Sequence, residues 1–144
     1  MVTKTIRDIL KDKGSDICAI GPDDTVYDAL ELMAEKNIGA LMVMEGGKPV
    51  GLFSERDYAR RVILKGRSSK TTAVRDVMTS RLVNVGPDQT VQKCMALLTE
   101  KHFRHLPVVD GDNLVGLVSI GDLVKSIIDE QQFIIDQLEG YISG

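Results

Sequence analysis

The chain is written twice. From Ile17 to Arg61 it lies over Leu82 to Ser126 without a gap: Gly21 meets Gly86, and the offset of 65 holds at every later pair. GPDDTV answers GPDQTV, and MAEKNIGALMVMEGGKPVGLFSERD answers LTEKHFRHLPVVDGDNLVGLVSIGD. A unit this short cannot cover both faces of its own sheet, so the two copies must pack on each other. Matching lead-ins precede them, TIRDIL and AVRDVM, although Ile6 to Val74 is 68 residues rather than 65.

Each copy reads as one series of elements. A short apolar strand, Ile17–Ile20 or Leu82–Val85, stops at Gly-Pro-Asp, where proline and glycine break the strand and Asp or Thr can cap the next helix. Val26, Ala29, Leu30 and Met33 then recur at the spacing of one helical face, as do Val91, Cys94, Met95 and Leu98. Two apolar runs come next, 40–44 with 49–53 and 106–109 with 114–118, joined by glycine-bearing turns that predict β-hairpins. Ser54 or Ser119 then suits the N-cap of a second helix. The unit is β-α-β-β-α and the class α/β (α+β). The division expected is 1–70 for the first repeat with its lead-in helix and linker, 71–130 for the second, and 131–144 for a C-terminal helix. That last helix is apolar enough to be a dimer contact or to pack back on its own module.

Composition narrows the function by exclusion. A net charge of −3, with 27% charged residues, offers no field for nucleic acid or an acidic membrane, and 4% aromatics leave no stacking platform for single strands. No apolar run reaches the roughly 20 residues that span a bilayer, and MVTKTIRDILKDKG carries charges where a signal peptide needs an apolar stretch, so a cytoplasmic protein is expected. Cys18 and Cys94 occupy non-equivalent places in the repeat and read as buried free thiols. His102 and His105 lack a third ligand for a metal. No paired carboxylates near a nucleophile, P-loop or Ser-His-Asp set marks an enzyme.

The tandem unit, with Gly51-Leu52-Phe53-Ser54-Glu55-Arg56-Asp57 and Gly116-Leu117-Val118-Ser119-Ile120-Gly121-Asp122 closing its two copies, resembles the CBS (cystathionine-β-synthase) domain pair, or Bateman module. SERDYARRVILKGRSSK is similar to stand-alone CBS-pair proteins. The resemblance implies two repeats packed as a pseudo-two-fold intramolecular dimer with two ligand clefts. It implies adenosine ligands, AMP foremost, with ADP, ATP, S-adenosylmethionine and NAD(H) as further candidates. It also implies a regulatory role that reports energy or redox state to a partner. With no catalytic domain attached, that partner would be a separate chain, redox proteins such as thioredoxins among the candidates. No other cofactor is required.

One carboxylate can accept hydrogen bonds from both hydroxyls of a ribose, which makes Asp57 and Asp122 candidates. Each stands three residues after a serine at a helix start, where hydroxyl and free backbone N–H groups favour an anion, so Ser54 and Ser119 join them. Ser-x-x-Asp is also what a capping box looks like, and that alternative stands. Arg104 and His105, immediately before Leu106 and Pro107 on an edge that faces the phosphates in this family, offer a bidentate fork and a further donor. Their counterparts are Gly39 and Ala40, while Arg56 restores charge where the second copy has Gly121, so two unequal adenine sites are expected. Arg60, Arg61, Lys65, Arg67 and Lys70 read as a solvated basic stretch, from which Arg67 or Lys70 could reach a second phosphate. Two other classes compete with the binding module: a structural adaptor with vestigial clefts, and a nucleotide hydrolase.

Overall fold

The computed structural model describes residues 4–143; the ends of the first and last expected segments, 1–3 and 144, lie outside them. In chain order the elements are α1 (Ile6–Lys13), β1 (Ala19–Ile20), α2 (Val26–Lys36), β2 (Ala40–Glu45), β3 (Lys48–Ser54) and a single α-turn, α3 (Glu55–Asp57). A π-helical turn at Tyr58–Val62 and 3-10 turns at Ile63–Lys65 and Val74–Asp76 come after it. The rest is α4 (Val91–Lys101), β4 (His105–Asp110), β5 (Asn113–Ser119) and α5 (Ile120–Ser143). The chain forms two compact units, one of 16–83, the other of the segment ending at Ser15 together with the chain from Asn84 onward.

Both units obey the repeat. In the first, β1 runs parallel to β2, which pairs antiparallel with β3. In the second, β4 pairs antiparallel with β5, and the strand expected at 82–85 is reduced to one parallel bridge, Val85 to Val108. Both hairpins carry a bulge at the same place, after Val43 and after Val108. The Thr25 and Thr90 hydroxyls accept from the backbone N–H of Asp28 and Lys93, starting α2 and α4. Asn37 and His102, equivalent in the repeat, end those helices in the left-handed conformation. His102 is therefore a helix cap.

The lead-ins change hands. Val74 and Val77, which precede the second copy in sequence, are fully buried in the core of the first with Val26, Leu41 and Phe53. The N–H groups of Val74 and Arg75 donate to the carbonyls of Asp24 and Pro22, and those of Ile6 and Arg7 donate to Gln89 and Pro87 in the same pattern. Each lead-in thus ties to the Gly-Pro-Asp turn of the copy it does not precede. Local periodicity carries no information about such partners, since the matching ion pairs Arg7–Asp88 and Arg75–Asp23 join residues far apart in sequence.

Glycine makes room for this exchange. A Cβ on Gly51 would come within 2.5 Å of the Met78 sulfur and 3.1 Å of the Thr79 carbonyl oxygen, and one on Gly116 within 2.7 Å of Leu10 Cδ2. Met78 and Leu10 hold the same place in the two lead-ins, so the shared Val-Gly-Leu of β3 and β5 is the notch into which each fits. Cys94 is buried, its thiol pushed up to about 11 by burial, and acts as a small apolar core residue. Among the described residues no helix is long and apolar enough to cross a membrane.

Candidate functional site

In each unit the hairpin brings the expected residues to one end. Ala40 stands opposite Ser54 across β2 and β3, and His105 opposite Ser119 across β4 and β5. The Gly39 carbonyl accepts from the Glu55 N–H at 3.0 Å and the Arg104 carbonyl from the Ile120 N–H at 2.9 Å. Strand edge and helix start are therefore stitched together in the same way twice. Arg104 is exposed there and Arg56 half-buried. Pro107 is not at that end: it is buried within β4 opposite Leu117, and its carbonyl accepts from Val85.

Both Ser-x-x-Asp motifs form capping boxes. The Ser54 N–H and hydroxyl donate to Asp57 Oδ2 at 3.0 and 3.1 Å, while the Asp57 N–H donates to Ser54 Oγ. The Ser119 N–H donates to Asp122 Oδ2 at 2.8 Å, and the Asp122 N–H donates back to Ser119 Oγ. Each serine thus satisfies one free N–H of its helix and each aspartate fixes the serine's own amide.

The carboxylates differ in what else reaches them. Asp57 is buried, and the Thr79 hydroxyl donates to its Oδ1 at 3.0 Å, so both oxygens are engaged. Asp122 is a quarter exposed, and Lys13 Nζ approaches Oδ2 at 2.7 Å while also donating to the Leu117 carbonyl at 2.9 Å. Every one of these bonds to Asp122 falls on Oδ2, leaving Oδ1 outside the cap. Burial raises the Asp122 pKa, but the Lys13 ammonium and the Ser119 N–H outweigh it and hold the carboxyl below the usual aspartate value.

Beside Asp122 lies a cavity of about 280 Å³ lined in part by Lys4, Lys13, Lys125 and Ser126, the last with a buried hydroxyl that has no hydrogen-bond partner. The three lysines face Asp12, Asp122 and Asp129, so the cavity mixes both charges and suits a polar ligand with donors and acceptors. The first unit has a basic cavity of about 350 Å³ lined by Arg61, Lys65, Arg67, Asp76 and Val77. Arg61, equivalent to Ser126, reaches across with Nη1 donating to the Met78 carbonyl at 2.8 Å. Lys70 turns instead onto the Tyr27 ring, 5.2 Å from its centroid. Sequence reasoning missed Lys13 and Thr79, whose contacts with the two aspartates span the lead-in exchange. Among the described residues no three His, Cys, Asp or Glu side chains gather as a metal site.

A pair of hairpin-and-helix units, each closed by a capped Ser-x-x-Asp, defines the class. The CBS-domain family model matches twice, over 6–64 and 74–129, and the chain belongs to that family. It is 40% identical over 97% of its length to the mitochondrial CBS domain-containing protein CBSX3 of Arabidopsis thaliana, covering 72% of that protein. A solved CBS-domain protein from Burkholderia ambifaria superposes with a TM-score of 0.86 at 53% identity, over 89% of this chain and 96% of that one. The CBS pair of protein MJ0100, solved with 5′-methylthioadenosine and S-adenosylmethionine, shares the fold at TM-score 0.78 and 20% identity, over 90% of this chain and 99% of that one.

Proposed function

We propose that this chain is a regulatory module that binds an adenine nucleotide, AMP first and then ADP, ATP, NAD(H) or S-adenosylmethionine, and is not an enzyme. It senses energy or redox state and signals to a separate protein from a soluble compartment, which we read as the cytoplasm, working as a homodimer. One observation carries the reading: Asp122, ionised and held at a helix start, keeps one oxygen outside its cap beside a polar cavity. A carboxylate so placed accepts from both hydroxyls of a ribose, with Ser119 beside it and Arg104 and His105 at the adjoining strand edge to meet phosphate. Ser54, Asp57, Gly39, Ala40 and Arg56 make the corresponding second site, with less positive charge at its strand edge. The adenosine compounds bound by the MJ0100 pair support the ligand class.

The test is a melting-temperature screen against AMP, ADP, ATP, NAD, NADH and S-adenosylmethionine, then calorimetry on Asp122→Ala. A ligand at a hundred times its Kd stabilises by about 2.7 kcal/mol. Loss of a hydrogen bond to a charged group costs about 1.5–3 kcal/mol, so the variant should bind roughly ten- to a hundred-fold more weakly. Unchanged affinity removes Asp122 from the site. The capping boxes favour a second reading, a structural adaptor in which Ser-x-x-Asp only starts helices. It predicts no shift with any of the six compounds.

A further inference from the structure

The C-terminal half of α5 stands in water among the described residues. From 131 to 142 every residue is exposed, Leu138 at 57% and Ile142 at 83%. A helix of about a dozen residues is marginal in water on its own, and Gly140 weakens this one further by about 1 kcal/mol. Three of its six apolar residues, with Val124 and Ile128 before them, nevertheless obey one rule, while Ile134 and Tyr141 flank it and Phe133, 63% exposed, lies off it. Ile128, Ile135 and Ile142 recur every seven residues, and Val124, Gln131 and Leu138 recur every seven residues four positions ahead of them. That is a heptad seam with isoleucine at each a position and valine, glutamine and leucine at d.

We propose that α5 pairs with α5 of a second copy as a parallel, in-register two-stranded coiled coil along this seam. The proposal rests on the reading that the chain self-associates and assigns the surface, orientation and register. Isoleucine at a with leucine at d, as at Ile135 and Leu138, favours two strands over three or four. Gln131 sets the orientation: in a parallel pair its amide meets its own copy across a d layer and both can hydrogen-bond, whereas an antiparallel pair sets it against isoleucine. With Ile134 and Tyr141 flanking, the seam leaves on the order of 800 Å² of side chain in water, about what one partner contributes to a stable interface. The charge argues the same way. Between Ser126 and Gly144 there is no lysine or arginine, and Asp129, Glu130, Asp136 and Glu139 all lie off a and d, which disfavours an anionic membrane as the occupant. The Gln132 amide donates to Asp136 at 2.9 Å, also off the seam.

The experiment is mass by light scattering and sedimentation on the full chain, wild type against Ile135→Asp/Leu138→Asp. Both residues are exposed, so melting of the units should be unchanged and the dissociation constant should rise by at least a hundred-fold. A wild type that is monomeric at every concentration overturns self-association and this seam together. An oligomer indifferent to the double substitution overturns the seam and leaves self-association standing. Orientation is read from Gln131→Cys with both native cysteines replaced: oxidation should cross-link most of the dimer, and failure to cross-link an intact dimer rejects the parallel register. Added salt should tighten the pair by screening the acidic flanks, and weakening by salt would reject it.

Discussion

Two acceptors recur in the two units, a carbonyl of the last strand and the carboxylate that caps the next helix, and different donors meet them. In the first unit Thr79 meets both: its N–H donates to the Leu52 carbonyl at 2.8 Å and its hydroxyl to Asp57 Oδ1 at 3.0 Å. In the second, a single ammonium does so, Lys13 Nζ donating to the Leu117 carbonyl at 2.9 Å and to Asp122 Oδ2 at 2.7 Å. The cause lies in the lead-ins. After one 3-10 turn, the first unit's segment extends and bridges Leu52 as a strand would, whereas α1 continues to Lys13 and presents only a side chain. The same choice explains Arg61, which caps carbonyls that the short turn leaves free. In α1 the Leu10 carbonyl is already taken by the Gly14 N–H, so Ser126 suffices. The Thr79 hydroxyl rides on a short side chain whose backbone is bridged to Leu52, but a lysine on a flexible stem can move, so Asp122 is the carboxylate whose partner is the more easily displaced.

The largest effect should come at the glycine notches. Gly51→Ala forces a methyl against the Thr79 carbonyl, which the Leu52–Thr79 bridge holds in place, and should cost about 2–3 kcal/mol, or roughly 6–9 °C in melting temperature. Gly116→Ala meets only the Leu10 side chain and should cost about 1–2 kcal/mol. Equal losses would show that both notches relax alike and would erase the fixed-versus-movable distinction. Next come the aspartates. Asp57→Ala strips a buried cap and strands the Ser54 and Thr79 donors, costing about 2 kcal/mol in a denaturant melt. Asp122→Ala should cost about 1 kcal/mol and act mainly on nucleotide affinity. If Asp57→Ala weakens nucleotide more than Asp122→Ala does, the open site is in the other unit.

What the sequence shows of this is the part made by neighbours. The Thr25 and Thr90 caps and both hairpins are visible because each rests on residues a few positions apart, and the offset of 65 because the residues themselves recur in order. The Ser-x-x-Asp motif shows the cap and the candidate ligand alike, since both need an oxygen aimed at a helix start. The Lys13–Asp122 pair is invisible, as its members stand 109 residues apart and no pattern joins them. The repeat even misleads at Ser54 and Ser119. It promises like helices, but after Ser54 a single α-turn passes into π and 3-10 turns ending at a left-handed Gly66, while after Ser119 one α-helix runs to Ser143. Gly66 has no counterpart in α5, where the aligned position is Gln131.

A smaller effect separates the units by pH. Asp122 titrates below an ordinary aspartate, so the stability it contributes is complete above roughly pH 3.9 and is lost as pH falls through its lower folded value. Lys13→Met should flatten that acid limb while leaving stability at pH 7 within about 1 kcal/mol, because the pair is partly exposed. An acid limb unchanged in the variant would assign it to other carboxylates, such as Asp8, whose pKa is lowered chiefly by the Thr5 N–H.

The smallest effect bears most directly on function. If Lys13 is a stand-in donor that a ribose displaces, Lys13→Met removes a competitor and should raise nucleotide affinity by up to about fivefold, the upper end of what an exposed ion pair is worth. Thr79→Val in the first unit should leave affinity at the Asp122 site unchanged. A fall in affinity with Lys13→Met would reverse the assignment: the ammonium would then belong to the bound state, reaching from Asp122 to a phosphate. Titration against adenosine and AMP in parallel separates the two, because competition for the ribose strengthens both ligands equally, whereas a lost phosphate contact weakens AMP alone.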